Sequence, residues 1–179
     1  DRYVKGWPVL QQLTDAYIVT TLVKLGAFQT AGETSSINAL VEQTRILPGF
    51  AKLLRRWLER LVDVALLGHS PDGYVAEQPL RAPSIDDVLR DADGIFGTDR
   101  IILDYVISCG SHLAEYVTGA RSTLETLFPG GGFERAEDLY ERAPLSAYFG
   151  GIGRAAMDAL VRARGGSPIR AIEIGAGTG

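Results

Sequence analysis

Cysteine is almost missing from this sequence: Cys109 is the only one in 179 residues. A single thiol cannot close an internal disulfide, so neither a disulfide scaffold nor a cysteine-based metal site can organise the fold, and no metal is assigned. A reducing cytoplasm is the compartment that suits such a chain. Positive charge is also short. Lys and Arg number 18 against 22 Asp and Glu, a formal net charge of −4. No cationic excess is left to hold a phosphate backbone, so nucleic acid is not an expected partner. No apolar run approaches the roughly 20 residues that span a bilayer, and no membrane partner is expected. Asp1-Arg2-Tyr3 carries neither an initiator Met nor a signal-peptide pattern, and the chain stops inside a glycine-rich turn, so both ends read as cut from something longer.

What remains is an ordinary globular composition, 46% hydrophobic and 22% charged. From Trp7-Pro8, Leu10, Leu13, Tyr17, Val19, Leu22 and Leu25 approximate one helical face, with Gly26 suited to cap it. Gly32 to Ser36 reads as a polar turn, after which Ser35 or Ser36 can N-cap a short helix through Ile37, Leu40 and Val41. Leu47-Pro48-Gly49 breaks that helix. Leu53, Leu54, Trp57, Leu58, Leu61, Val62 and Ala65 then predict a stronger helix ended by Gly68. Ser70-Pro71-Asp72-Gly73 has turn chemistry, and Leu66-Leu67 and Tyr74-Val75 read as the strands of a hairpin around it. Two helices, a tight turn and a hairpin outline a winged helix.

Beyond Pro83 the sequence reads as helical again: a short turn at Ile85, Val88 and Leu89, a long helix from Ile101 to Val117, a capping box at Ser122 to Glu125, a loop at Phe128 to Gly132, and helices over Phe133 to Tyr140 and Leu145 to Arg164. Gly165-Gly166 is a hinge-like break. Ile169 to Ile174 is then a short, mostly apolar run of the kind that forms a buried parallel strand.

Glu173-Ile-Gly175-Ala-Gly177-Thr-Gly179 follows at that strand's end, the edge at which doubly wound sheets bind ligands. Glycines let the backbone turn sharply and let a ligand approach with no Cβ in the way. An acid just before the loop can receive a cationic amine, which the methionyl arm of S-adenosyl-L-methionine carries; it would repel the pyrophosphate of a dinucleotide. A simple turn and the dinucleotide fingerprint are the competing readings, the latter requiring a third glycine after the chain ends.

The motif resembles motif I of the Rossmann-like methyltransferases. With His112 to Gly119, Thr123-Leu-Glu-Thr-Leu-Phe-Pro-Gly-Gly131 and Leu139-Tyr140-Glu141 before it, the series resembles the C-methyltransferase domains of modular polyketide synthases, most strongly from His112 to Gly179. The resemblance implies a mainly α-helical lid with a winged-helix-like β-hairpin, running into the first strand of a Rossmann-like α/β core that is truncated here. The expected divisions are residues 1–82 for the winged-helix-like lid, 83–166 for its helical continuation and 167–179 for the first strand and glycine loop. It implies methyl transfer from S-adenosyl-L-methionine to the α-carbon of a β-ketoacyl chain on acyl carrier protein, beside neighbouring megasynthase domains. Glu173, Gly175, Ala176, Gly177 and Gly179 are the cofactor-binding residues implied.

Tyr140 and Tyr148 lie on helices that cover the active site in that family; each either contacts cofactor or substrate or packs in the core. The family's His–Glu base lies downstream of motif I, beyond Gly179, so no catalytic residue is assigned. His69 reads as a solvated loop histidine, His112 as a structural one, and Cys109 as a buried small hydrophobe. Lys52, Arg55, Arg56 and Arg60 read as a solvated face, a carrier-protein docking patch or a DNA contact. Where the family commonly has an Asn after the tyrosine–aromatic pair, this chain has Gly150-Gly151, which loosens that helix by about 1 kcal/mol per glycine. The chain alone is expected to be inactive, since a lone strand cannot make a sheet. A non-catalytic adaptor module, a winged-helix DNA-binding regulator and a small-molecule O-methyltransferase are the other functions considered.

Overall fold

The computed structural model describes residues 2–165, 168–170 and 172. It is helical with one small antiparallel sheet, and it divides into two compact units, Asp1–Thr123 and Leu124–Gly179.

In the first unit, α1 (Arg2–Lys24) is the spine. It starts six residues before Pro8, not at it, because a proline in the opening turns forfeits few backbone hydrogen bonds. Its other end is the expected one. Gly26 takes φ +80°, with Gly26 N donating to Val23 O at 3.1 Å and Ala27 N to Leu22 O at 2.9 Å, the paired bonds of a Schellman cap.

Apolar residues lie around α1 rather than along one stripe, and the helix is buried on two sides. On one side Ile18 and Leu22 meet Leu40 of α2 (Ile37–Thr44) and Leu54, Leu58 and Leu61 of α3 (Ala51–Asp63), with Phe28, Ile46 and Val117 completing the cluster. On the other side Leu10, Leu13 and Tyr17 meet Ala92 and Phe96 of α4 (Ile85–Phe96) and Leu103 of α5 (Ile101–Ser111). Each fully buried Leu or Phe contributes about 1.5–3 kcal/mol relative to exposure, so these two clusters hold the unit together.

The expected hairpin is present, and a third strand joins it. β1 (Glu33–Ser35), β2 (Gly68–Ser70) and β3 (Gly73–Ala76) order as β1-β3-β2, all antiparallel, with Thr34 opposite Val75 and His69 opposite Tyr74. β1 occupies part of what reads as a polar turn at Gly32 to Ser36. A three-residue edge strand with one buried side chain, Ser35, has too little alternation to stand out in sequence. Its Glu33 also ties the preceding loop, accepting from Phe28 N at 2.8 Å and Thr30 N at 3.2 Å. That carboxylate holds Phe28 at φ 57° while its ring is fully buried.

Three helix ends differ from expectation. α3 stops before Gly68: Ala65 takes φ 57°, and Leu66 N donates to Leu61 O at 2.9 Å, freeing Gly68 to start β2 two residues after the expected strand. α4 is a full helix, since Ala92 and Phe96 continue the Ile85, Val88 and Leu89 stripe, and Ser84 Oγ accepts from Asp87 N at 3.4 Å at its start. The expected long helix from Ile101 breaks at His112 into α5 and α6 (Leu113–Thr118). Ser36 N-caps α2 as expected, accepting from Ala39 N at 3.2 Å.

The second unit is slighter. A 3₁₀ turn, Pro129–Gly131, falls in the expected Phe128 to Gly132 loop, and α7 (Glu134–Glu137) runs into a π-type turn, Asp138–Arg142, longer than the helix expected to end at Tyr140. Ala143 N donates to Asp138 O at 2.7 Å and closes it. Pro144, at the first position, then opens α8 (Pro144–Ala163), which runs through Gly150, Gly151 and Gly153. Gly165 ends it at φ 57°. Ile169, Arg170 and Ile172 carry no regular structure, and the rest of the expected strand, with the glycine loop, lies outside the described residues. Strands exist by pairing, and no described residue pairs with this segment.

Candidate functional site

Glu173, Gly175, Ala176, Gly177 and Gly179 all fall outside the described residues. The site residues that can be placed are Tyr140 and Tyr148, both in the second unit. Tyr140 sits in the π-type turn, a rare conformation frequent at functional sites. Tyr148 sits on the second turn of α8. Their side chains are 60% and 64% exposed, so neither is buried among the described residues. No ring contact or hydrogen bond joins them among the described residues; Tyr148 instead meets Phe149 edge-on, with centroids 5.6 Å apart.

The two elements are locked to one another by polar contacts. Ser146 Oγ donates to Leu139 O at 2.7 Å across the joint. Arg142 donates to Asp138 at 2.6 Å and to Glu137 at 3.2 Å; these carboxylates raise its guanidinium pKa further and keep it charged, the Asp138 hydrogen bond first. The joint therefore presents Tyr140 and Tyr148 from a fixed backbone.

α8 adds what the sequence reading missed. Leu145, Tyr148, Phe149, Ile152 and Leu160 recur at helical spacing, and each is between 39% and 64% exposed; no residue of α8 is buried. This is an apolar stripe with an aromatic start. The signal was legible in the spacing of those residues, but three glycines on the same helix obscured it.

In the first unit, Arg60 leaves the basic face to which it was assigned. Its Nη2 donates to Asp15 Oδ2 at 2.8 Å and its Nε to Oδ1 at 3.0 Å, joining α3 to α1 and raising the Arg60 pKa chiefly through that hydrogen bond. This fork–fork pair stands beside a cavity of about 320 Å³ lined by Trp7, Leu10, Thr14, Ile18 and Val106. Lys52, Arg55 and Arg56 stay exposed. His69 is 60% exposed on β2, with Nε2 3.4 Å from Glu59 Oε2, and Glu59 accepts from the Tyr74 hydroxyl at 2.6 Å. Burial, then the Glu59 bond, raise the Tyr74 pKa. His112 caps the junction of α5 and α6, its Nδ1 3.4 Å from Glu115 Oε2. Cys109 is half-buried rather than buried, since α5 shows only Leu103 fully to the core. Among the described residues no group of His, Cys, Asp and Glu is placed to hold a metal, and no helix is long and apolar enough to cross a membrane.

No protein-family model matches the chain. It is 31% identical over 175 residues, 96% of its length, to the polyketide synthase ThaG of Burkholderia thailandensis, and 34% identical over 149 residues, 71% of its length, to ThaQ of the same organism. It spans only 3% and 7% of those proteins. Among solved structures it matches the DszA carbon methyltransferase with TM-score 0.78 at 20% identity, over 96% of this chain and 44% of that one. The CurJ carbon methyltransferase gives 0.69 at 19% identity, over 78% of this chain and 37% of that one. The citrinin polyketide synthase CMeT domain gives 0.68 at 18%, over 90% of this chain and 45% of that one. The structures supply the fold and the synthases supply sequence kinship along nearly the whole chain, and both agree with the motif series from His112 onward. By these likenesses the chain is akin in sequence to a segment of polyketide synthases and has the fold of carbon methyltransferase domains.

Proposed function

We propose that this chain is the front part of a domain that transfers a methyl group from S-adenosyl-L-methionine to the α-carbon of a β-ketoacyl chain held on acyl carrier protein. The observation that carries the reading is the 31% identity to a polyketide synthase along 96% of the chain, together with a fold shared with carbon methyltransferases. Residues 1–82 act as a winged-helix-like lid, supported by the order α1-β1-α2-α3-β2-β3 and the sheet order β1-β3-β2. Residues 83–166 continue the lid, and 167–179 begin the cofactor-binding core.

The donor set fits the cosubstrate. A carboxylate, Glu173, beside the backbone of Gly175, Ala176, Gly177 and Gly179 suits a molecule with a cationic amine at one end and a flat nucleoside at the other. When bound, S-adenosyl-L-methionine supplies an electrophilic methyl. Tyr140 and Tyr148 are the described side chains assigned to the border of the reacting centre, a reading supported by the Ser146–Leu139 bond that ties their two elements together, and the base that takes the α-proton comes from beyond Gly179.

Calorimetric titration of S-adenosyl-L-methionine into this chain and into the protein continued to its next natural boundary tests the reading. Binding and carrier-dependent methylation only by the longer protein are expected. Absence of binding by both discards the cofactor role of Glu173 to Gly179 and leaves a non-catalytic adaptor as the better account.

A further inference from the structure

The cavity beside the Arg60–Asp15 pair has a hydrogen-bonding capacity that the fold does not use. Its volume is about 320 Å³, at the small end of the range for sites that take small molecules. Leu10 and Ile18, 6% and 3% exposed, line it from the core. Ile102 and Val106 of α5 are half-buried along it, and the Trp7 side chain, 63% exposed, lines it from the solvent side. The polar groups set in this apolar lining are almost all engaged. Thr14 Oγ1 donates to Leu10 O at 2.8 Å. Both oxygens of Asp15 accept from Arg60, from Nε at 3.0 and 3.2 Å and from Nη2 at 2.8 Å. With its amide oxygen turned to the guanidinium, Gln11 accepts from Nη1 and Nη2, each at 3.1 Å. A guanidinium has five N–H donors, and these bonds take four. The fifth, on Nη1, has no acceptor among the described residues. The pair is mostly withdrawn from water, with side chains 32% and 15% exposed. An ion pair so placed often adds no more stability than apolar residues of the same volume, so joining α3 to α1 does not by itself account for it.

We infer that this cavity binds a small, neutral carbonyl compound with an apolar body, a ketone or ester no larger than one ring or a short acyl group. The spare Nη1 donor selects for an acceptor, and a carbonyl oxygen is an acceptor that brings no donor of its own. Charge is disfavoured in either sign. A carboxylate would enter beside Asp15 and an ammonium beside Arg60, each against a pair already formed. The apolar walls then take the rest of the ligand, as in small-molecule sites where a few polar groups fix orientation. All the lining residues lie in the unit Asp1–Thr123 and none in the unit that carries Glu173 to Gly179, so the inference stands apart from the methyl-transfer reading.

The test titrates the full-length protein with three probes that share a cyclohexane ring: cyclohexyl methyl ketone, cyclohexanecarboxylate and cyclohexylmethylamine. Binding is followed by ligand-observed NMR. The ketone should bind saturably and roughly tenfold more tightly than either charged probe. Thr14→Phe, at an exposed position of α1 that lines the cavity, fills it and should abolish ketone binding with the unfolding midpoint unchanged. Arg60→Lys keeps a charge against Asp15 but loses the planar fork, and should weaken the ketone about threefold or more. Lack of saturable ketone binding, a charged probe bound as tightly, or ketone binding indifferent to Thr14→Phe or to Arg60→Lys would each overturn the inference. Thr14→Phe leaves the Arg60–Asp15 pair in place, so it is decisive even where Arg60→Lys lowers stability. Binding is read without S-adenosyl-L-methionine or turnover, so its failure is distinct from failure of the methyl-transfer reading.

Discussion

The unit Asp1–Thr123 and the unit Leu124–Gly179 differ in where their apolar residues go. In the first, Leu13, Leu22, Phe28, Leu54, Leu58 and Leu61 are all fully buried. In the second, the buried hydrophobic residues among those described are Ala136 and Ala143, while Tyr148, Phe149, Ile152 and Leu160 stay open to solvent along α8. Two buried alanines among its described residues are a small hydrophobic term to set against chain entropy. Its order rests instead on short-range backbone bonds and on the joint at Ser146 and Arg142. The first unit has a buried apolar core, whereas the described part of the second keeps its large apolar side chains exposed.

The largest test of that contrast substitutes one leucine in each unit. Leu58→Ala opens a cavity at a fully buried position and should cost about 2–5 kcal/mol, read from urea unfolding of the first unit. Leu160→Ala removes a side chain 47% exposed and should stay within about 0.5 kcal/mol. A comparable loss for both would break the comparison. A narrower test lies at Gly110, where an added Cβ would meet the Tyr17 ring directly. α5 approaches α1 through that gap, so Gly110→Ala should destabilise by about 1–3 kcal/mol and lower the unfolding midpoint with an unchanged slope.

Much of the first unit was legible in sequence because its signals were local. Gly26 stood at a helix end, Ser36 stood before Ile37, and Pro71-Asp72 stood between two strands; each did what its chemistry dictates. What was not legible depended on partners distant in sequence. β1 exists because β3 pairs with it, and α3 ends at Asp63, short of Gly68, because β2 claims the glycine. The break at His112 follows Gly110, and it comes where α5 and α6 both pack on α1. Arg60 looked like one of four surface cations until α1 brought Asp15 to it. In the site, Tyr140 and Tyr148 were found on the expected elements, but their exposure could not be read from type, since tyrosine suits a core and a surface equally.

The hairpin offers a pH test within the well-built unit. Tyr74 is buried, and its hydroxyl donates to Glu59 at 2.6 Å. Burial, then that hydrogen bond, raise its pKa, so the protonated phenol is favoured in the folded state. The contribution is complete below the ordinary tyrosine value of about 10 and is lost as pH rises through the raised folded value. Tyr74→Phe should cost about 1 kcal/mol at pH about 8, since Glu59 is partly in water, and the gap to the unaltered protein should narrow above pH about 10. Denaturant melts at the two pH values decide it; a gap that does not narrow removes the Glu59 bond as its source.

The smallest effect has the opposite sign and belongs to the second unit. Gly150 and Gly151 lie inside α8 with nothing within 4 Å of the position a Cβ would take. Neither has a positive φ, so neither needs to be glycine for conformation or for space. A glycine in a helix interior costs about 0.5–1 kcal/mol relative to alanine, mostly as chain entropy lost on folding. Gly150→Ala should therefore slow amide hydrogen exchange across α8 about two- to fivefold, the factor that such an energy gives, while leaving exchange in α1 and α3 unchanged. The same substitution is thus destabilising at Gly110, where a neighbouring ring fills the space, and stabilising at Gly150, where none does. Slower exchange in α8 alone would show that this helix is held by its own backbone propensity. Exchange that fails to slow would mean that α8 is already fixed by a surface packed along it, and the difference between the two units would have to be withdrawn.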